Sequence, residues 1–349
     1  DLFDVIDKSK LQGDPRRTLL EILIGLGVSK MAVRGYAAPG IMKIFDRARA
    51  LTDALGINHR TLPVLTIMSG FYIASADFEN AKEIGEAMVD LGRRLDHPTG
   101  ELRGQLTVGE AVGFQGDFAT ADKLMRHVIG QYDPSRRRAD SALQDFGVTA
   151  YEMLGVIRWI RGYADEAREL GLTGLGIARQ INHPISVVFA LHWTGIIYFL
   201  RGEHQEALEL AELTVEYAHN HDFKLFHILG RLYEAICETA RDENKAPALS
   251  HLQQALAAYR ATGARFCLPY FMAQEAQALT MTANSKQALV LLNQAFEVAN
   301  RQNEHWFTPE LHRLRGEVIR LHTNHLHAAE QEFLRGVALA RKQDARGWE

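Results

Sequence analysis

An alanine that follows a short turn recurs along this chain at a nearly constant interval. It stands at Ala81 in DFENA, Ala121 in DFATA, Ala167 in YADEA, Ala207 in EHQEA, Ala248 in KAPA, Ala288 in SKQA and Ala328 in HLHA. Successive copies lie 40, 46, 40, 41, 40 and 40 residues apart. Such a period marks a repeat array, in which each unit buries its apolar face only against its neighbours.

A second small residue stands 12 positions before most of these alanines: Ser69, Gly109, Gly155, Gly195, Ala276 and Gly316, with Ile236 breaking the rule in the fifth copy. Two antiparallel helices joined by a short turn approach closely only where side chains are small. The pairing therefore predicts that the small residue on a first helix faces the alanine on the second. Apolar residues recur at helical spacing around these anchors. Val188, Leu191, Gly195 and Tyr198 form one stripe, and Ala207, Leu210, Ala211 and Val215 another. Gly116, Gly162 and Gly202 stand where a first helix ends in a left-handed residue. Pro98, Pro184 and Pro309 stand at helix starts, where the missing N–H costs nothing. Counting a weaker hairpin at residues 15–56, the chain reads as one all-α array over 1–349. The expected fold is a right-handed superhelical solenoid of about eight antiparallel helix pairs with a concave face.

The pattern of a small residue and an alanine twelve later resembles the tetratricopeptide family. Tyr72 and Tyr198, three after the small residue, match its usual aromatic. A narrower resemblance covers the chain from about residue 36 to its end. Tyr132-Asp133-Pro134, the Trp159, Gly162, Tyr163 turn and the helix from Glu310 to Glu317 are similar to the C-terminal helical region of bacterial predicted signalling ATPases. The chain departs from that pattern at Arg136-Arg137-Arg138, where a histidine is usual, and at Asp145-Phe146-Gly147, where Asp-Pro-Gly is usual. In that family the region follows an ATPase domain, often with a class III adenylate or guanylate cyclase or a DNA-binding domain upstream. The resemblance implies a regulatory module, not an ATPase or cyclase activity of these residues. The chain begins with Asp and stops at Trp348-Glu349 directly after a helical stretch, so it reads as a piece of a longer protein. The 46-residue step places an atypical loop at 132–147.

The formal net charge is −4. Phosphate-binding surfaces usually carry a basic excess, so no nucleic-acid partner is expected; the Arg136–Arg138 run reads as a solvated loop. No apolar run approaches the roughly 20 residues of a membrane span. The start of the chain lacks a signal-peptide pattern. Two cysteines, Cys237 and Cys267, can form neither a disulfide framework nor a zinc site, which fits a cytoplasmic location.

Catalytic motifs are missing from the sequence. It has no phosphate-binding G-x-x-x-x-G-K-[ST] string, no H-E-x-x-H and no G-x-S-x-G. Gly171, Gly174 and Gly176 fall inside a predicted second helix with no strand before them, which fits helix packing and not a dinucleotide loop. His322, His325 and His327 cluster at the last turn without a carboxylate or cysteine at metal-ligand spacing. His219 and His221 read as a helix end, where a cation suits the dipole. Cys237 and Cys267 read as buried thiols on first helices. Glu110 and Glu152 would act as a catalytic pair only with a fixed separation. The chain reads as a binding module with no cofactor or metal, not as an enzyme.

First helices line the concave surface in tetratricopeptide folds. Counting from each small anchor, that resemblance places Arg103, Glu110, Glu152, Trp159, His192, Tyr233, Tyr270, Gln277, Arg313 and Glu317 on the inner wall. Aromatic and arginine side chains there suit a peptide or ligand site. For Trp159 and Tyr233 packing between hairpins is the competing reading, and for Arg313 pairing with Glu310 or Glu317 on its own helix. Two functions are open. One is a regulatory module that binds a protein or peptide partner on the concave face and biases upstream ATPase or cyclase domains. The other is a small-molecule sensor like the inducer-binding region of maltose-activator-like transcription regulators. An open groove along many units would favour the first, and a dry, enclosed pocket the second.

Overall fold

A computed structural model describes residues 15–34, 40–55, 61–136, 143–241, 245–322 and 325–349. Arg137, Arg138, the Arg136 side chain, the middle of the 132–147 loop and the His322 side chain lie outside the described residues.

The described residues form sixteen α-helices in eight successive pairs, and no strand. The pairs are α1 (Pro15–Arg34) with α2 (Ile41–Leu55), α3 (Thr61–Ala74) with α4 (Phe78–Arg94), α5 (Pro98–Phe114) with α6 (Phe118–Gln131), and α7 (Phe146–Ile160) with α8 (Ala164–Gln180). They continue as α9 (Pro184–Leu200) with α10 (His204–Asn220), α11 (Lys224–Arg241) with α12 (Lys245–Ala261), α13 (Leu268–Met281) with α14 (Ser285–Gln302), and α15 (Thr308–His322) with α16 (Leu326–Lys342). A 3-10 turn at Arg346–Trp348 ends the chain. Among the described residues, no helix is long and apolar enough to cross a membrane.

First and second helices differ in burial as their sequences require. In α9 every residue from Ser186 to Ile197 is buried, whereas α10 buries only Ala207, Ala211, Thr214 and Ala218. An all-round apolar helix belongs inside and a one-stripe helix outside. The turns repeat one device. Ala76, Gly116, Gly162 and Gly202 take positive φ, and the next residue's N–H bonds the carbonyl five back, as Asp77 to Tyr72 at 2.9 Å and Tyr163 to Arg158 at 2.8 Å. The same device recurs between units at Asp96 and Asn303, and Asn182 shares their positive φ, so non-glycine residues accept the left-handed geometry there. Asp77, Asp117 and Asp145 then cap the following helices through their carboxylates.

The anchor pairing holds in part. A Cβ on Gly155 would lie 3.2 Å from the Ala167 carbonyl, and one on Gly195 3.8 Å from that of Ala207. In the third unit it is Gly113, one turn further on, that faces Ala121 at 3.4 Å, while Gly109 faces Met125. Gly316 is filled by the Phe333 ring. In the last unit Ala328 is exposed and Ala329 is buried, so the final step of the period is one residue longer than the sequence pattern implies. Gly171 and Gly174 serve helix packing, against Ile197 and Glu152 respectively; Gly176 meets nothing within 4 Å. Cys237 lies buried on α11, but Cys267 lies just ahead of α13, also buried, with φ of 58°.

The array also closes on itself, which the repeat pattern does not announce. α1 touches α11, five units on. The carbonyl of Ala74, at the end of α3, accepts the N–H groups of Arg265 and Phe266 at 2.8 and 3.3 Å, ahead of α13. The carbonyl of Phe114, at the end of α5, accepts those of His305 and Trp306 at 2.8 and 3.1 Å, ahead of α15. At the end of α7, Trp159 meets Trp348 with ring centroids 4.7 Å apart, and Arg161 donates to Asp344 at 2.6 Å. Helix C-termini leave carbonyls without intrahelical partners. Here units five along the chain supply those partners, so the superhelix is clasped.

Candidate functional site: the clasped interior

The clasp turns the expected concave groove into an interior. Its wall is aromatic: Phe114, Phe266 and Trp306 meet edge to face at 6.4 Å centroid separations, and Trp193 lies 6.5 Å from Phe266. Such contacts carry energy beyond the area they bury. Inside remains a cavity of about 110 Å3 bounded by α3, α5, α7, α9, α11 and the segment ahead of α13. A smaller one of about 30 Å3, between α5, α6, α7 and the Trp193 and Trp306 rings, adjoins it at Glu110 and Phe114. Ala74, Phe114 and Phe266 line the larger cavity and belong to the clasp as well.

Three of the ten residues expected on the inner wall line this cavity: Arg103, Glu110 and His192. Glu110 projects from α5 between the two cavities. Glu110 is half-buried, and the loss of water around its carboxyl pushes it up to about 8. His192, on α9, is buried and packs edge to face on Tyr233 at 5.1 Å. Burial lowers its imidazole to about 3, so it is neutral at physiological pH. Arg103 lies over the Phe146 ring, 5.3 Å from its centre.

The other seven are placed elsewhere. Glu152 is sealed between α7, α8 and α9, where it accepts the Thr194 hydroxyl at 3.1 Å; burial raises its carboxyl well above the ordinary range, and the Thr194 bond opposes this. Burial is the sole cause at Glu110 and burial with Thr194 at Glu152, so the two do not act on each other as a pair. Trp159 packs on the C-terminal turn. Tyr233 and Tyr270 are buried core residues stacked at 6.2 Å; their hydroxyls influence each other, yet the Tyr270 oxygen has no hydrogen bond of ordinary geometry. For Trp159 and Tyr233, then, packing is the observed role. Gln277 is half-buried on α13, outside the cavity lining. Arg313 bonds Glu310 at 2.6 Å and Glu317 at 2.8 Å on its own helix, as its spacing suggests. Of the ten residues expected on the inner wall, three thus line the larger cavity and seven pack outside it. The physical reason is the clasp, which brings the turns of the seventh and eighth units over the inner face of the second and third.

Sequence reasoning missed Glu304. It is 1% exposed, accepts the Trp306 indole N–H at 2.9 Å through Oε1, and leaves Oε2 without a partner. Burial raises it to about 8 against the opposing bonds from Trp306 and the Cys267 backbone. It also missed the cluster on the clasp's outer side. There the buried Asp122 carboxylate receives Arg126 at 2.7 Å and both Arg158 and Arg161 at 2.9 Å. The 40-residue offset of Asp122 from Gly162 and its neighbours gives no sign of that pairing. The thiols are inert in this setting, since burial pushes Cys237 up to about 12. Among the described residues, no group of three metal-ligating side chains converges. His325 and His327 are exposed, and His327 reaches Glu330 at 3.5 Å.

No family model matches the chain, and comparison with curated proteins gives no match. Solved structures do match. A Rap protein complexed with competence and sporulation factor superposes with a TM-score of 0.71 at 10% identity, covering 97% of this chain and 90% of that one. NprR in complex with its cognate peptide NprX gives 0.55 at 11% identity, covering 93% and 89%. The apo form of RapI gives 0.54 at 10% identity, covering 81% and 98%. At these identities the likeness is one of fold, and the fold is a tetratricopeptide-like superhelix of helix pairs running through nearly the whole chain.

Proposed function

We propose that this chain is a ligand-sensing regulatory module that binds and relays, and does not catalyse. The observation that carries this reading is the shared identity of the cavity wall and the clasp. Ala74, Phe114 and Phe266 belong to both, so a ligand that fills the cavity acts directly on the contacts that join units five apart. A ligand that prefers the clasped form shifts the array toward it, and only such a differential preference transmits a signal. Two structures of similar fold hold an effector, a Rap protein its competence and sporulation factor and NprR its cognate peptide NprX, which favours an effector here as well. An apolar cavity of about 150 Å3 accepts benzene, and the space of about 110 Å3 here, which is partly open, suits a small molecule or one terminus of a larger one. The relay would act on signalling ATPase or cyclase domains of the same protein, as the motifs at 132–134, 159–163 and 310–317 imply.

The test is to measure amide exchange at Arg265 and His305, with the melting temperature, before and after adding the small-molecule fraction of a host lysate. A ligand at about 100 times its dissociation constant adds roughly 2.7 kcal/mol. The expected result is a higher melting temperature with slower exchange at both amides. A rise in melting temperature with unchanged exchange at those amides would place the site elsewhere and sink the coupling.

A further inference from the structure

Most of the cavity's polar groups can accept a hydrogen bond. Four hydroxyls line it, and each gives its proton to its own helix: Thr66 to the Leu62 carbonyl at 2.8 Å, Ser69 to Thr66 at 2.8 Å, Thr107 to Arg103 at 3.1 Å and Thr149 to Asp145 at 3.0 Å. What they retain is lone-pair capacity. Neutral His192 adds a ring nitrogen that can accept, and the Glu110 carboxyl adds oxygens with no hydrogen bond or ion pair to any described residue. Of the lining donors, Arg103 and Gln144 are already engaged, and the Trp193 indole and the second His192 ring nitrogen each carry one neutral N–H. Among the described lining residues Arg103 is the one cation, it lies over the Phe146 ring, and it does not pair with Glu110, so this carboxyl faces Phe114 and Trp193 without a counter-ion.

We infer that the cavity binds the protonated amino group of a small aliphatic amine, with Glu110 as its counter-ion, His192 and the hydroxyl oxygens as further acceptors, and the aromatic rings around its alkyl part. This rests on the sensor reading above and names its ligand class. An ammonium has three N–H donors and no acceptor, which complements this lining. A charge in an apolar interior is tolerated only when paired and hydrogen-bonded, and Glu110 supplies the pair. The aromatic faces add cation–π attraction. The same chemistry is offered by a free amine or by the amino terminus of a short peptide.

Binding has a protonic signature. The charged and titratable groups that share the cavity with Glu110 are Arg103 on its own helix and His192 on α9; the lining side chains from α3, α7, α11 and the segment ahead of α13 carry no charge. The loss of water around the half-buried Glu110 carboxyl holds it at about 8. Below that pH the ammonium must displace a proton from Glu110, so one proton leaves per ligand. Affinity therefore rises about tenfold per pH unit up to about pH 8, and then levels until the amine itself titrates.

The experiment is calorimetric titration of the 349-residue chain with n-butylammonium, butanol and butyrate, in buffers of different ionisation heat from pH 6 to 9. A short apolar peptide amide with a free amino terminus and its acetylated twin are the second arm. The expected result is binding of butylammonium with release of about one proton at pH 7, little binding of butanol or butyrate, and at least a tenfold loss with no proton release in Glu110→Gln. Glu110→Gln must melt as a folded protein without ligand, and Thr107→Val, which keeps the volume and loses an acceptor, should weaken the amine several-fold and butanol not at all. Binding of the free-terminus peptide but not butylammonium supports the shared chemistry with a peptide as its source. Equal or tighter binding of butanol or butyrate overturns the inference. So does failure of every amine; if the lysate fraction still slows exchange at Arg265 and His305, the sensor reading survives that failure, and if it does not, both fall.

Discussion

Glu304 shows how this fold treats its buried acids. Its carboxyl has one side-chain donor, the Trp306 indole, and no cation. An unfolded chain ionises a glutamate at about 4.3, whereas the folded protein holds this one at about 8. Its contribution to stability is therefore full below the unfolded value and is lost as pH rises through about 8. The size is on the order of 5 kcal/mol, because each tenfold change in the ionisation equilibrium is worth about 1.4 kcal/mol. Glu110, which is half-buried, acts in the same sense to a smaller degree. His192 acts in the opposite sense, its stabilising neutral state being lost as pH falls below the ordinary imidazole range toward about 3. Glu304→Gln keeps a carbonyl for Trp306 and has no charge to bury. Denaturant midpoints at pH 5 and pH 8 should show the variant gaining on the parent chain as pH rises, and an unchanged gap would refute the account. The sequence made Glu110 and His192 legible because they sit at fixed offsets from a small anchor on a first helix. Glu304 sits in the turn ahead of α15, outside the reach of that counting, and was invisible to it.

Helices and their turns follow from local rules, and those rules were readable. Left-handed glycines, proline at first positions and an alanine every 40 residues each express one steric demand. What they leave unread is how the elements meet at long range. Asp122 on α6 receives arginines from the next unit's first helix and its turn, at 36 and 39 residues' separation, and Arg161 passes on to Asp344, 183 residues away. Burial pushes the Asp122 carboxyl up, but the bonds from Arg158 and Arg126 outweigh this and hold it below the ordinary range. Its stabilisation is therefore present above the unfolded value and is lost as pH falls through the lowered one. Breaking a buried pair by removing one partner costs about 3 to 5 kcal/mol, because the remaining charges stay desolvated. Asp122→Asn keeps the shape and should cost about 3 kcal/mol by equilibrium denaturation at pH 7, with the deficit shrinking toward pH 3. A loss under about 1 kcal/mol would mean that solvent screens the cluster as it does a surface pair.

At the scale of the molecule the decisive feature is closure. A repeat array is quasi-one-dimensional, each unit touching only its neighbours, and its stability then adds unit by unit. Here units one, two and three also meet units six, seven and eight, and unit four meets the C-terminal turn, so opening one end must disturb the middle. Residues 343–349 are the last piece of that closure. Gln343 donates to the His305 carbonyl at 3.1 Å, Asp344 holds Arg161, Ala345 is wholly buried, and Trp348 lies between Trp159 and Phe307. In an open array, removing these residues would destabilise α16 and leave the second and third units untouched. In the clasped array the loss must spread, because Trp159 loses its partner and the 305–306 turn loses a donor next to the Phe114 carbonyl. Truncation after Lys342 is therefore expected to lower the melting temperature by several degrees and to speed amide exchange at Arg265, His305 and Trp306 together. Trp348→Ala should do the same to a smaller degree, with a cost of about 2 kcal/mol for a half-buried indole. Faster exchange confined to α16 in both variants would show that the contacts five units apart are made independently, and the interior would then be a set of local packings with no common latch for a ligand to move.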